Sequence, residues 1–185
     1  MTPRPRPDDD SRPGRSGAGD SGAGDSVPDR PKSATSPAPA LTVVRTFAAP
    51  VAEVFAAWTD PALLEQWLAP DPCVVLEASA DARPGGQYRV VVVTPGGDLH
   101  VTTGEYREVV PDARLVKTWV YEGPNAPDRY PTLLTVEFRA TGPRATEITL
   151  RQEQLLTPED RAGNREGWRL CFNKLDALLG LRGIV

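Results

Sequence analysis

The stretch from Arg45 to Trp67 constrains the fold more than any other part of the chain. A short β-like run meets Pro50. Val51, Val54, Phe55 and Trp58 then fall at i, i+3, i+4 and i+7, which makes one apolar stripe on one helix face. Pro50 suits the first helical position, where its missing N–H would be unpaired anyway. Thr59-Asp60-Pro61 breaks this helix and starts another, with Asp60 as its N-cap. Leu63, Leu64 and Trp67 supply the second apolar face, and Pro70-Asp71-Pro72 ends it.

The rest of the chain reads mainly as strands. Leu41 to Phe47 is the first, ahead of the two helices. Val74 to Ala78 is short, and Gly85-Gly86 is a turn. Gln87 to Thr94 is β-branched and leads into a hairpin loop at Pro95-Gly96-Gly97-Asp98. Leu99 to Val110 is long, with a bulge expected at Gly104. Leu115 to Tyr121 follows a turn at Pro111-Asp112, and Gly123 to Pro131 is a loop. Leu134, Val136 and Phe138 alternate with polar residues, as do Ile148 and Leu150, so both runs predict strands with one wet face. Thr157-Pro158-Glu159-Asp160 opens the last element with a cap, a proline and acidic side chains. Trp168, Cys171, Phe172, Leu175, Leu178 and Leu179 form its helical stripe, while Gly163 and Gly167 leave room for a loop or kink. A meander of strands closed by one amphipathic helix is an α+β architecture.

These pieces resemble, in order, the START-like (SRPBCC, helix-grip) domains. The narrower resemblance is to the branch homologous to the activator of the heat shock protein 90 ATPase. It is carried by Arg45-x-Phe47-x-Ala49-Pro50, by Val54-Phe55-x-Ala57-Trp58-Thr59-Asp60-Pro61 and by Trp67. It continues through Gly85-Gly86-x-Tyr88, Gly104-x-Tyr106, Pro111-x-x-x-Leu115, Trp119, Thr146-x-Ile148-x-Leu150 and Gly167-Trp168. The resemblance implies a curved antiparallel sheet wrapped around a long C-terminal helix, with two short helices after the first strand. It covers roughly residues 41–180, and the expected domain is residues 41–181. It also implies a container for an apolar small molecule, or a co-chaperone-like contact with a chaperone ATPase, or a cyclase or dehydratase using the same cavity.

Composition narrows these readings. Residues 1–40 contain no Phe, Trp or Tyr and are crowded with Pro, Gly, Ser and Asp, a composition that predicts a disordered tail. The tail's basic and acidic residues balance, so the domain holds the whole net charge of −4. A mildly acidic domain is poorly suited to nucleic acid, whose phosphates demand a basic face. No run of 18 apolar residues predicts a membrane span, and no apolar segment follows the N-terminal charges as in a signal peptide, so a cytoplasmic location is expected. Cys73 and Cys171 then read as reduced thiols.

The chain is short of catalytic chemistry. His100 is its one histidine and reads as a solvated strand residue. One His and two distant Cys give no metal-site spacing, and there is no phosphate-binding loop or nucleophile elbow. No catalytic residue, cofactor or metal is therefore assigned. The candidate site is a cavity between sheet and C-terminal helix, lined by Trp67, Tyr88, Val90, Tyr106, Trp119, Val136, Phe138, Trp168 and Phe172. Strand alternation, and for Trp67, Trp168 and Phe172 the helical stripes, put these apolar side chains on inward faces. Arg89 and Glu105, beside Tyr88 and Tyr106, are the candidate polar anchors. The expected partner is an apolar small molecule; a chaperone or another protein is the alternative.

Overall fold

A computed structural model describes residues 40–124 and 130–182. The predicted tail, apart from Ala40, and the middle of the Gly123 to Pro131 loop lie outside the described residues. The elements follow in the order β1 (Ala40–Phe47), α1 (Val51–Thr59), α2 (Pro61–Trp67), β2 (Val74–Ala80), β3 (Gln87–Val93), β4 (Leu99–Val110), β5 (Arg114–Glu122), β6 (Thr132–Gly142), β7 (Ala145–Glu153) and α3 (Pro158–Arg182).

The strands form one antiparallel sheet in the order β1-β7-β6-β5-β4-β3-β2. Hairpin neighbours pair in sequence, and β1 joins the far side by pairing with β7, Leu41 opposite Gln152 and Phe47 opposite Thr146. This is the helix-grip architecture that the sequence predicts, with the curved sheet closed by α3.

The core lies on the inner sheet face. Leu41 and Phe47 of β1, Tyr88 and Val90 of β3, and Tyr106 of β4 are buried there. So are Leu115 of β5, Leu134 and Val136 of β6, and Ile148 and Leu150 of β7. Their spacing of two puts them all on the same side. From the helices come Val54 and Trp58, Leu64 and Trp67, and Trp168, Phe172, Leu175 and Leu179.

Local chemistry explains the boundaries. Asp60 caps α2 by accepting from the Ala62 N–H at 2.9 Å, with Pro61 as the first helical residue. Thr157 and Asp160 make a reciprocal box at the start of α3: the Asp160 N–H donates to Thr157 Oγ1 at 3.0 Å and the Thr157 N–H to Asp160 Oδ2 at 3.1 Å. Pro50 stands one residue earlier than expected, as the extended N-cap of α1.

Two backbone expectations are corrected. The irregularity in β4 falls between Tyr106 and Glu108, not at Gly104. Gly104 serves a different purpose. A Cβ there would overlap the Thr118 carbonyl and come within 2.6 Å of the Tyr88 ring, so its absence lets Tyr88 lie across β4. Gly163 and Gly167 also produce no loop. They sit inside a continuous α3, whose burial against the sheet outweighs about 1 kcal/mol of lost propensity per glycine.

Candidate functional site

A cavity of about 760 Å³ opens between the inner sheet face and the first half of α3. The sheet supplies Val92, His100, Thr102, Trp119, Tyr121, Thr132 and Gln152. Leu68, Pro70 and Cys73, between α2 and β2, close one side, and Leu155 and Leu156 after β7 close another. The helix supplies Gly163, Gly167, Trp168 and Cys171. Gly163 and Gly167 are four residues apart and so share one helix face. An added Cβ would meet nothing within 4 Å at either position. The residues that weaken α3 by propensity are thus the ones that keep its cavity face low.

One polar chain runs along the wall from α3 to the sheet. Trp168 Nε1 donates to Gln152 Oε1 at 2.9 Å, and Gln152 Nε2 donates to Thr132 Oγ1 at 2.9 Å. Thr132 Oγ1 in turn donates to the Trp119 carbonyl at 3.1 Å. Gln152 and Thr132 are buried, and these bonds offset the cost of placing an amide and a hydroxyl beside an apolar space. Near the start of α3, Tyr130 Oη donates to Asp160 Oδ2 at 3.1 Å. Burial, then the Asp160 carboxylate, pushes the Tyr130 hydroxyl above its ordinary pKa. Cys171 is a free thiol pushed up to about 12 by burial, and Cys73 is also free. Cys171 is therefore not a low-pKa thiolate of the reactive kind.

His100 is corrected by the structure. It is half-buried and lines the cavity, with its Nδ1 hydrogen-bonded to Tyr121 Oη. Counting in twos back from Tyr106 through Gly104 and Thr102 puts His100 on the inner face, so the signal was present in the alternation. Gly123 makes room for the pair: a Cβ there would lie 2.7 Å from Tyr121 Oη and 2.8 Å from His100 Nδ1.

Of the predicted lining residues, Trp119 and Trp168 face the cavity, their ring centroids 5.1 Å apart. Trp67, Tyr88, Val90, Tyr106, Val136, Phe138 and Phe172 lie deeper, in the packed core. Trp58 contacts many of them: its ring is 4.8 Å from Trp67, 6.3 Å from Phe138, 6.2 Å from Phe172 and 5.8 Å from Trp168. Arg89 and Glu105 do not enter the cavity. Arg89 pairs with Glu77 at 3.0 Å and Glu105 with Arg107 at 2.7 Å, on the outer face. They are sequence neighbours of Tyr88 and Tyr106, and in a strand that puts them on the opposite side.

Among the described residues, the one charged side chain buried on the inner face was not singled out by its sequence. Lys117 is 1% exposed, and its Nζ has no hydrogen-bond partner. It sits 4.1 Å from the Tyr88 ring centroid, with the Tyr106, Trp119 and Trp58 rings at 5.4, 5.7 and 5.8 Å. Tyr88 is held in place by its hydroxyl, which donates to the Thr118 carbonyl at 2.8 Å. Burial lowers the Lys117 pKa to about 7, while the aromatic faces favour its cationic form. The signal was the run Leu115-x-Lys117-x-Trp119, which places lysine between two inward residues.

A family model described as Activator of Hsp90 ATPase homolog 1-like protein matches residues 48–180. The chain belongs to this family. Solved structures agree with the assignment. A Nitrosomonas europaea protein is 27% identical, with a TM-score of 0.66, over 79% of this chain and 97% of its own. A Rhizobium leguminosarum protein is 28% identical, with a TM-score of 0.65, over 77% and 94%. A Silicibacter pomeroyi protein titled AHSA1 is 25% identical, with a TM-score of 0.69, over 78% and 99%. Among curated proteins there is no match. The Activator of Hsp90 ATPase homolog 1-like family falls within the START-like superfamily, as the helix-grip sheet and long α3 require. Among the described residues, no helix is long and apolar enough to cross a membrane.

Proposed function

We propose that the protein binds an apolar small molecule in the cavity between its sheet and α3. The observation that carries this reading is the 760 Å³ space walled by Trp119, Trp168, Val92 and Leu155, with Gly163 and Gly167 leaving it unfilled. A space of this size suits a small ligand, and an apolar wall with a few fixed polar groups is the usual composition of such sites. The wall's polar chain is satisfied internally, so burying an apolar molecule leaves none of its members unpaired. The same reading takes residues 41–181 as the binding domain and leaves residues 1–40 outside it.

The test is native mass spectrometry of the purified protein, paired with titration of an environment-sensitive apolar dye. The reading expects a retained molecule, or dye binding that Gly167→Leu abolishes. That substitution adds bulk to the cavity face and improves helix propensity, so the variant remains folded. A folded protein that binds no dye and retains nothing overturns the reading. The chaperone contact suggested by the family description then takes first place.

A further inference from the structure

Among the described residues, four buried side-chain atoms lack a hydrogen-bond partner: Lys117 Nζ, Tyr106 Oη, Trp58 Nε1 and Glu53 Oε2. The first three belong to one region. Lys117 and Tyr106 are direct cross-strand partners on β5 and β4. The Lys117 Nζ lies 5.4 Å from the Tyr106 ring and 5.8 Å from the Trp58 ring. All three can donate a hydrogen bond, and lysine and indole nitrogens accept none in their protonated forms. Among the described residues no carboxylate pairs with Lys117, which is wholly enclosed. An ammonium left this way is costly, because burial strips its water without supplying a counter-charge. Lys117 Nζ is therefore a buried ammonium with no anionic oxygen beside it, and the Tyr106 hydroxyl and Trp58 N–H near it are unpaired as well.

The region adjoins the cavity. Lys117 and Trp119 are two residues apart on β5 and so share a face. Trp119 is both a wall of the cavity and a member of the ring cage, 5.7 Å from Nζ.

The geometry points to Lys117, with Tyr106 and Trp58, as the receiving point for the carboxylate of an apolar monocarboxylic acid whose chain lies in the cavity. This rests on the cavity reading above and names the class of ligand. A carboxylate fits better than a phosphate, because one ammonium neutralises one negative charge and a second would stay buried without a partner. A hydroxyl at the chain end would accept from the donors but bring no charge, so acid and alcohol of equal length separate the two terms. Among the aromatic side chains around Nζ, the titratable ones are Tyr88 and Tyr106, both held above their ordinary pKa by burial and so neutral near neutrality.

The experiment compares decanoate with 1-decanol at pH 6.5, by displacement of the apolar dye from the full chain. Decanoate should bind at least tenfold more tightly. Lys117→Met should close that gap, and Tyr106→Phe, which removes only a hydroxyl, should narrow it several-fold. Equal affinities in the unmodified protein overturn the assignment and leave the cavity reading intact. A gap that survives Tyr106→Phe and Lys117→Met overturns it as well, since another group then reads the acid. Should Lys117→Met not fold, the unmodified protein and Tyr106→Phe decide between these outcomes. Failure of the dye and both probes to bind removes the cavity reading, and this assignment with it.

Discussion

Trp168 and Gln152 tie α3 to β7 through one buried hydrogen bond of 2.9 Å, the indole N–H donating to the amide oxygen. The same amide donates to Thr132, so a single side chain joins the helix to two neighbouring strands at the cavity wall. Gln152→Leu keeps the volume and leaves the Trp168 N–H without its acceptor. Removing one partner of a buried pair costs about 1–3 kcal/mol. Urea unfolding should show a loss of that size; an unchanged midpoint would mean that the network contributes nothing.

Lys117→Met should stabilise the protein, and the gain should depend on pH. The folded-state pKa is about 7, below the ordinary lysine value of 10.5. The unfolded chain therefore holds more protons between these values, and the folded state is penalised as the pH falls. The penalty is fully present below about 7 and gone above 10.5. Its upper bound is roughly 5 kcal/mol, from about 1.4 kcal/mol per pKa unit. Denaturant midpoints of the two proteins should differ most at pH 6.5 and converge towards pH 10. A pH-independent difference would contradict the buried, unpaired lysine.

Two glycine-to-alanine substitutions should act in opposite directions. At Gly104 the new methyl would overlap the Thr118 carbonyl and press on the Tyr88 ring at 2.6 Å. The backbone of β4 or β5 must shift, at about 2–4 kcal/mol or more. At Gly163 nothing lies within 4 Å, so alanine should add about 0.5–1 kcal/mol through helix propensity. Thermal melts of the two variants measure both signs directly.

Phe172→Ala should cost about 3–5 kcal/mol, as large-to-small changes at packed aromatic sites do. Phe172 is 1% exposed, with its ring edge-on to Phe47 at 5.8 Å and close to Trp58 and Trp67. Equilibrium unfolding gives the value, and a loss under about 1 kcal/mol would show that the site collapses around the smaller side chain.

Most of the fold was readable from local pattern. The stripe Val51, Val54, Phe55 and Trp58, the Asp60-Pro61 start and the Thr157-Pro158 cap each act within a few residues, so the chain declares them without help from distant partners. Period-two alternation likewise placed Tyr88, Tyr106, Leu134 and Phe138 on inner faces, and applied consistently it places His100 and Lys117 there too.

What alternation cannot do is separate a packed inner face from an empty one. Tyr88, Val90 and Tyr106 on one side, and Phe138 and Phe172 on the other, are inward by pattern and buried against each other in fact. Trp119 and Trp168 are just as inward and border open space. That difference depends on how far α3 stands from each strand, and on Gly163 and Gly167 facing the sheet across a gap. Likewise, the sequence alone places Lys117 on the inner face of β5. Only the assembled sheet and helices surround it with four aromatic rings, because those partners come from α1, β3 and β4 as well as from its own strand.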